Sequence, residues 1–283
     1  MTTYQHSPVL VLGPRGMLGQ TVMKYFRQTG RNVIAVDERF ENNGWTALTD
    51  VLLEHPNGIV VNCIGRIKQK TNQLHDLLWA NAILPLELSH RLPESTLIVH
   101  PSTDCVYNGA TGAPYATSHK TDAGDEYGWS KALGDAALVH RKNTLIPRVS
   151  IIGPDENPAG KGLLNWFLTQ PKGSQLKGFE NHLWNGITTL EWCRLVDEWI
   201  RQHPDGCESA EVIQWGTADH LTKYEMLMLF QELFETKHQI ESVKTDVTVD
   251  RRLIPDVVSV PLRQQLESLR QWMTQNTSKS TVK

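Results

Sequence analysis

The stretch PVLVLGPRGMLGQTVMKYF, residues 8–26, decides the fold. Val9 to Leu12 form an unbroken apolar run rich in β-branched residues, the composition of a parallel strand buried on both faces. From Met17 onward apolar side chains recur at helical spacing as far as Gly30, a residue suited to closing a helix. Between the two lie Gly13, Gly16 and Gly19. The first permits a tight turn, the second lets backbone approach a pyrophosphate, and the third allows helix and strand to pack closely. Backbone N–H groups at the helix start then face the phosphates, where the helix dipole favours negative charge. The spacing is G-x-x-G-x-x-G rather than G-x-G-x-x-G, so the strand–turn–helix context carries the dinucleotide reading; the alternative is a glycine turn chosen for packing alone.

Working outward, NVIAVD reads as a second strand ending at Asp37, roughly 20 residues after the glycines, where a carboxylate can bond the adenosine ribose hydroxyls. It disfavours a 2′-phosphate, so the expected cofactor is NAD(P)H with a lean to NADH. Arg39 and Arg15 are the cations able to meet a 2′-phosphate instead. LTDVLLEHP suits a short helix, GIVVNCIG a third buried strand, and HDLLWANAILPLELSHRL a helix that Pro85 should kink or break. TLIVHPSTDCVY is a further strand running into a loop. Strands alternating with helices predict an α/β, Rossmann-type doubly wound parallel sheet over residues 1–150. After residue 150 the rhythm becomes helical: GLLNWFLTQ, TTLEWCRLVDEWIRQH, TKYEMLMLFQELFETK and PLRQQLESLRQW. Thr188 with Glu191 and Thr222 with Glu225 have capping-box spacing. Residues 151–275 are expected to be a smaller, mostly helical substrate-binding part that can return strands to the sheet, and 276–283 a frayed tail.

Composition narrows the class. In 283 residues, 40% hydrophobic and 21% charged content describes a globular chain. A formal net charge of −3 offers no footprint for nucleic acid. The apolar runs are too short to span a membrane, and MTTYQHSP lacks the pattern of a secretory signal. The four cysteines (Cys63, Cys105, Cys193, Cys207) show neither disulfide nor metal spacing. Reduced thiols in a cytoplasmic protein are the expectation, with no metal site. Most of the nine tryptophans should be core or interface residues.

The reactive groups come next. Ser102, Thr103 and Asp104 follow a strand and should emerge at its carboxyl end, the edge where ligands bind open α/β sheets. A hydroxyl there can donate to a substrate carbonyl. In DEYGWSKALGD, residues 125–135, Tyr127 and Lys131 lie one helical turn apart. Free tyrosine titrates near about pH 10, too high for ready proton exchange at neutral pH. A lysine cation one turn away favours the phenolate and draws the phenol down. The bland alternative is a solvated helix face, yet of the six tyrosines only Tyr127 has a lysine four residues later.

These motifs resemble the extended short-chain dehydrogenase/reductases, and more narrowly the dTDP-4-dehydrorhamnose reductase family. The likeness rests on GPRGMLG, NCIG, STDCVYNG, YGWSKALGD, PRVSIIGP and GFENHLWNGITTLE, and spans nearly the whole chain. It implies NAD(P)H-dependent reduction of the keto group of a nucleotide-linked 4-keto-6-deoxy sugar. Tyr127 would protonate the alkoxide, Thr103 align the carbonyl, Asp104 contact the sugar, and Lys131 serve both tyrosine and cofactor ribose. Gly13, Arg15, Gly16, Met17 and Leu18 would line the pyrophosphate, and Asn62, Cys63, Ile64 and Gly65 would pass beside the adenosine and ribose. Ile151 stands where rhamnose-forming reductases commonly carry a tryptophan, implying a reshaped sugar pocket. The segments SIIGP and KGFENHLWNG look more like reductases of UDP-sugar and capsule-type pathways.

Arg148 could pair with the sugar diphosphate or make a structural salt bridge. His182 and Trp184 could reach the sugar or base, and the loop SHKTDAGDE could act as a lid. Two alternatives stay open. One is a nucleotide-sugar epimerase or dehydratase, disfavoured because STDC lacks the glutamate that dehydratases usually carry beside the aspartate. The other is a non-catalytic cofactor-binding regulatory subunit. The expected partner is a nucleotide sugar, with no nucleic acid and no membrane; the oligomeric state stays open, a homodimer included.

Overall fold

The computed structural model describes residues 4–38, 45–71, 73–110, 112–157 and 159–280, the side chains of 277–280 set aside. In the first half, β1 (Val9–Leu12) passes through the glycine turn into α1 (Met17–Gln28), followed by β2 (Val33–Val36), α2 (Trp45–Leu53) and β3 (Ile59–Asn62). A helical run follows, made of α3 (Leu74–Leu78), a π-helical turn (Trp79–Ile83) and α4 (Leu84–Arg91), then β4 (Leu97–Val99), α5 (Glu126–Leu138) and β5 (Thr144–Arg148). Beyond residue 150 come β6 (Ile151–Ile152), α6 (Leu163–Leu168), β7 (Gln175–Phe179), β8 (His182–Trp184), β9 (Ile187–Thr188), α7 (Thr189–Gln202) and β10 (Glu211–Thr217). The chain closes with β11 (Leu221–Thr222), α8 (Lys223–Phe234), β12 (Gln239–Val243), β13 (Val249–Asp250), β14 (Val257–Ser259) and α9 (Leu262–Ser280).

The main sheet has seven strands in the order β14-β10-β5-β4-β3-β1-β2, every pairing parallel. The alternation within β1 explains the two layers, because successive side chains point to opposite faces. Val9 and Val11 join a core with Leu18, Val22 and Phe26 of α1 and Trp192 and Val196 of α7. Leu10 and Leu12 join the opposite core with Leu48 of α2, Leu84 and Leu88 of α4 and Leu138 of α5. Helices therefore cover both faces, as the strand–helix alternation of the sequence requires. A third core, with Phe167, Phe230 and Leu266, lies under the C-terminal helices. Two strands of the main sheet, β10 and β14, come from beyond residue 150. A separate three-stranded sheet, β11-β8-β13, also belongs to that half.

Local chemistry accounts for several details. Pro85 does not break its helix: it sits in the first turn of α4, directly after the π-helical turn. Proline cannot donate to the carbonyl four residues back, here Asn81, and the wider turn accommodates that lost bond. α5 packs against this freed carbonyl through Gly134, where a Cβ would fall inside the Asn81 oxygen. The Thr222–Glu225 capping box forms in full. The Thr188–Glu191 box forms only in half: Thr188 Oγ1 accepts from Glu191 N. The other half is taken over by tertiary partners. Thr188 N–H donates to Gln265 Oε1 at 2.8 Å, while Glu191 accepts from Ser259 Oγ at 2.6 Å. At the C-terminus, α9 continues through Ser280, past the end expected from the sequence. Among the described residues no helix is long and apolar enough to cross a membrane.

Gly134→Ala should destabilise the protein by about 1–3 kcal/mol, the usual cost of overpacking a tight contact. Urea unfolding measures it, and an unchanged midpoint would contradict the close approach of α5 to Asn81.

Candidate functional site

The chain moves from β1 to β2 on one side and to β3 on the other, so the carboxyl ends of β1 and β3 form the topological switch point of the sheet, where ligands enter. A cleft of about 890 Å³ opens there. Of the residues expected to hold a cofactor, Gly13, Arg15, Gly16, Asp37, Cys63, Ile64 and Gly65 line it. Gly13 has φ +67°, and a Cβ on it would stand 2.9 Å from Ile64 Cγ1. The turn thus needs glycine both for its backbone angle and for the space beside β3. Leu18 departs from expectation: helix periodicity turns its side chain into the core, leaving only its backbone near the turn. Met17 does not line the cleft, and its sulfur lies against Gly162. Asn62 is 2% exposed and points into a polar network instead. Arg15 pairs with Asp37 at 3.1 Å on the exposed rim. Arg39, the alternative cation, lies outside the described residues. The sequence reading missed an aromatic wall: Trp45, Trp79 and His75 line the cleft, with His75 stacked on Trp79 at 5.6 Å and Trp45 6.0 Å from Trp79.

The reactive residues gather where β4 ends and α5 begins. Thr103 caps a short 3₁₀ turn, its Oγ1 accepting from Cys105 N at 3.2 Å and donating to Asp104 Oδ1 at 3.0 Å. Asp125 caps α5 by accepting from Gly128 N at 2.8 Å, which places Tyr127 in the first turn and Lys131 one turn on. Burial pushes the Tyr127 phenol up, Cys105 and Asp104 add to this, and a hydrogen bond with Thr103 pulls it down. The direction is opposite to that expected from the Tyr-x-x-x-Lys spacing. The physical reason is burial of the phenol itself; Lys131 Nζ, for its part, donates to Pro101 O at 2.6 Å and meets His100 Nε2 at 3.3 Å. Burial draws Lys131 down to about 8, against the pull of Asp135.

Ser102, expected at the substrate, and Arg148, read as either a diphosphate partner or a structural salt bridge, are engaged in the interior. Ser102 Oγ donates to Asp135 Oδ2 at 2.8 Å, and Arg148 Nε donates to the same oxygen at 3.0 Å. Arg148 also reaches Tyr107 Oη at 3.2 Å and is 8% exposed. A guanidinium held this way ties β5 to α5. Trp184 is likewise buried, with Nε1 donating to Ser150 Oγ at 2.8 Å. Ile151 is half-buried against the core and pairs with Ile187.

Two cations the sequence reading did not name, Lys223 and Arg251, act on Asp104 and also on His182, which it did name. The β11-β8-β13 sheet brings them together: Thr222 pairs with Leu183 and Val249 with His182, so Lys223 and Arg251 flank the His182 strand. Lys223 Nζ lies 5.9 Å from the Trp184 ring centroid. Arg251 Nε donates to Tyr107 O at 3.1 Å. His182 sits lower than usual through burial and the positive charge of Lys223 and Arg251, and its Nε2 contacts Thr245 Oγ1 at 2.8 Å. Burial raises the Asp104 carboxyl, opposed by Arg251, Thr103 and Lys223. Lys223 itself is lowered by burial, opposed by Asp104 and Cys105.

A parallel doubly wound sheet, a glycine turn at its switch point and a Tyr-x-x-x-Lys helix at the same edge define a Rossmann-type scaffold of the extended short-chain dehydrogenase/reductase class. Residues 7–246 match the family model described as RmlD substrate binding domain, and the chain belongs to that family. The resemblance read from the motifs is thereby borne out. The chain is 29% identical over 150 residues, 50% of its length and 49% of the relative's, to a probable dTDP-4,6-dihydroxy-2-methyloxan-3-one 4-ketoreductase of Streptomyces antibioticus. It is 31% identical over 150 residues, 50% of its length and 52% of the relative's, to the spore coat polysaccharide biosynthesis protein SpsK of Bacillus subtilis strain 168. The chain spans about half the length of the relatives it matches. The fold is shared with the crystal structure of dTDP-4-dehydrorhamnose reductase from Bacillus anthracis str. Ames in complex with NADP, at TM-score 0.79 and 14% identity over 96% of this chain and 100% of that one. An ortholog from Clostridium acetobutylicum ATCC 824 superposes at TM-score 0.75 with 16% identity over 94% and 99%.

A lysine lowered from 10.5 to about 8 by burial has a pH signature. Below about 8 both folded and unfolded chains carry the charge, and the burial penalty is complete; between there and 10.5 the unfolded chain holds the extra proton, so the penalty fades as pH rises. Lys131→Met should therefore be more stable than wild type at pH 7, on the order of 3 kcal/mol, with the difference vanishing above pH 10.5. Paired urea titrations across that window test it; a pH-independent difference would contradict the burial penalty.

Proposed function

We propose that this chain is an NAD(P)H-dependent reductase that turns the keto group of a nucleotide-linked 4-keto-6-deoxy sugar into an alcohol. The observation that carries this reading is the placing of Thr103, Tyr127 and Lys131 at the sheet edge, with one strand, β3, between β4 and the strand of the glycine turn. The named activity of the Streptomyces antibioticus relative supports the reaction class, and the NADP held by the Bacillus anthracis protein supports the cofactor.

The residues fit a dinucleotide. The Gly13 turn leaves a cradle that a Cβ would fill, and the cleft reaches the exposed Arg15–Asp37 pair. Gly13 to Gly16 would take the pyrophosphate, Asp37 the adenosine ribose, and the Trp45–Trp79 wall the adenine. Asp37 favours NADH, with Arg15 as the group that meets a 2′-phosphate when NADPH is used. When bound, the cofactor supplies the hydride to the keto carbon. Thr103 and Tyr127 hold the keto oxygen through their hydroxyls, which fixes the face open to reaction. Tyr127, kept protonated by burial, gives its proton to the developing alkoxide. Asp104 orients a sugar hydroxyl, and its partners Lys223 and Arg251 attract the diphosphate. Cys105 follows Asp104 where a dehydratase would need a second carboxylate, which favours reduction over dehydration.

Purified protein, NADH or NADPH, and a panel of dTDP- and UDP-linked 4-keto sugars give the assay, read as loss of reduced-nicotinamide absorbance. Turnover is expected with at least one sugar, more efficiently with NADH, and Tyr127→Phe should lower kcat by about 10²–10⁴. Cofactor binding without turnover on any sugar would overturn the reading in favour of a regulatory subunit. Lys223→Met should raise KM for the sugar nucleotide about ten- to a hundred-fold while changing kcat little, the loss of one charge-assisted contact; an unchanged KM would remove Lys223 from the substrate site.

A further inference from the structure

The segment that follows β6 returns to the glycine turn, and its attachments can be followed bond by bond. Gln20, near the start of α1, holds both pieces of chain: its Nε2 donates to Arg15 O at 2.7 Å, and its Oε1 accepts from Glu156 N at 2.9 Å. Lys24, one turn further along α1, pairs with Glu156. At the far end, the buried Asn165 of α6 donates through Nδ2 to Gly160 O at 3.1 Å. The segment thus forms a second wall to the cleft, and its Asn157 lines that cleft together with Gly13, Arg15 and Gly16. The amide of Asn157 has a readable orientation. Its Oδ1 accepts from Ala159 N at 3.0 Å, so the nitrogen is the free end. Nδ2 has no hydrogen-bond partner among the described residues. An amide nitrogen brings two donors and no acceptor. The carboxylates beside it are engaged: Asp155 Oδ1 accepts from Asn157 N at 2.9 Å, and Glu156 pairs with Lys24.

We propose that Asn157 is a further cofactor-binding residue, donating from Nδ2 to the diphosphate of the dinucleotide, and that Gln20 is the positioning residue that sets it there. This rests on the reading of the cleft as an NAD(P)H site and assigns a donor to its second wall. The charges that line the cleft explain why a directed donor matters. Arg15, Arg66 and Lys70 stand against Asp37, Glu38 and Asp76, three of each sign among the described lining residues. Net charge therefore gives the cleft little hold on an anion, and the hold comes from aimed N–H groups. The glycine turn and the start of α1 supply backbone donors. Asn157 supplies a side-chain donor from the other wall, and a bond from a neutral amide to a charged oxygen is stronger than one between neutral groups. Gln20 fixes the spacing of the two walls, because one side chain bonds the carbonyl of the turn and the N–H of the segment together.

The test measures binding to the full chain with no sugar nucleotide present, and so is separate from the turnover assay. Three probes are titrated by calorimetry or ligand-observed NMR: NADH, ADP-ribose, which keeps the diphosphate but lacks nicotinamide, and adenosine, which lacks both. Asn157→Asp keeps the acceptor for Ala159 N–H and replaces the donor with a charge that repels phosphate. It should weaken NADH and ADP-ribose alike, by about ten- to a hundred-fold, and leave adenosine unchanged. Gln20→Met removes both bonds at similar size and should weaken the same two probes. The two substitutions together should cost less than the product of their separate effects, because each undoes the same contact. An unchanged Kd for NADH and ADP-ribose in Asn157→Asp overturns the proposal. So does a loss confined to NADH, which places the amide at the nicotinamide, or a loss shared by adenosine, which marks a general loosening of the fold. An unaffected Gln20→Met, or a purely multiplicative pair, overturns the positioning role. If Asn157→Asp does not fold, Gln20→Met decides by the same pattern across the three probes. A wild-type chain that binds neither NADH nor ADP-ribose overturns the cofactor reading itself, whereas wild-type binding with an indifferent Asn157→Asp overturns this proposal alone.

Discussion

The contact on which the active edge depends is the burial of Lys131 beneath the end of β4. Its amine reaches the Pro101 carbonyl and His100, and so fastens α5 to the strand that delivers Thr103. Because Tyr127 is one turn earlier on that helix, the same fastening sets the phenol beside the threonine hydroxyl. A second tie, Arg148 with Asp135 and Ser102, holds β5 to the far end of that turn. Burying a lysine costs free energy, and a position that retains one at 6% exposure points to chemistry rather than stability.

The helix can approach the sheet edge because the preceding helical run yields to it. Pro85 withholds a hydrogen bond from the Asn81 carbonyl, the turn widens, and Gly134 removes the side chain that would collide there. Asn81 uses its side chain for the same purpose, with Nδ2 donating to Ser130 Oγ at 2.9 Å and Oδ1 accepting from Arg66 N at 2.9 Å. That second bond holds the segment after β3 against the cleft. The cofactor side and the reactive helix are thus joined by one asparagine and by the Asn62–His100–Lys131 chain.

Much of this was legible in the residues. The glycine turn, the buried first strand and the alternating elements were enough for a doubly wound sheet, because each is a local signal reinforced by periodicity. Thr103, Tyr127 and Lys131 fall at the strand end and helix start where the sequence reading put them, because strand end and helical spacing are local signals. Ser102 and Trp184 turn inward, and Arg148 makes the structural salt bridge that was one of its two readings, for one shared reason: type and position reveal chemistry, but which face of a strand end turns inward depends on tertiary neighbours. Lys223 and Arg251 were missed because 28 positions separate two cations that only the β11-β8-β13 sheet brings together. A signal did exist. Lys223 opens a well-capped helix, where the helix dipole disfavours a cation, so its presence calls for an anion nearby. Lys131 lies on the helix where the spacing put it, yet the net shift of the Tyr127 phenol is opposite to the one expected, because burial of the phenol dominates and spacing carries no information about desolvation.

The most direct measurement is a crystal structure of the protein with reduced cofactor and a sugar nucleotide bound. The account predicts the sugar C4 oxygen within about 3 Å of both Tyr127 Oη and Thr103 Oγ1, with the diphosphate against Lys223 and Arg251. A sugar nucleotide bound elsewhere, or Tyr127 turned from the cleft with the cofactor in place, would contradict it.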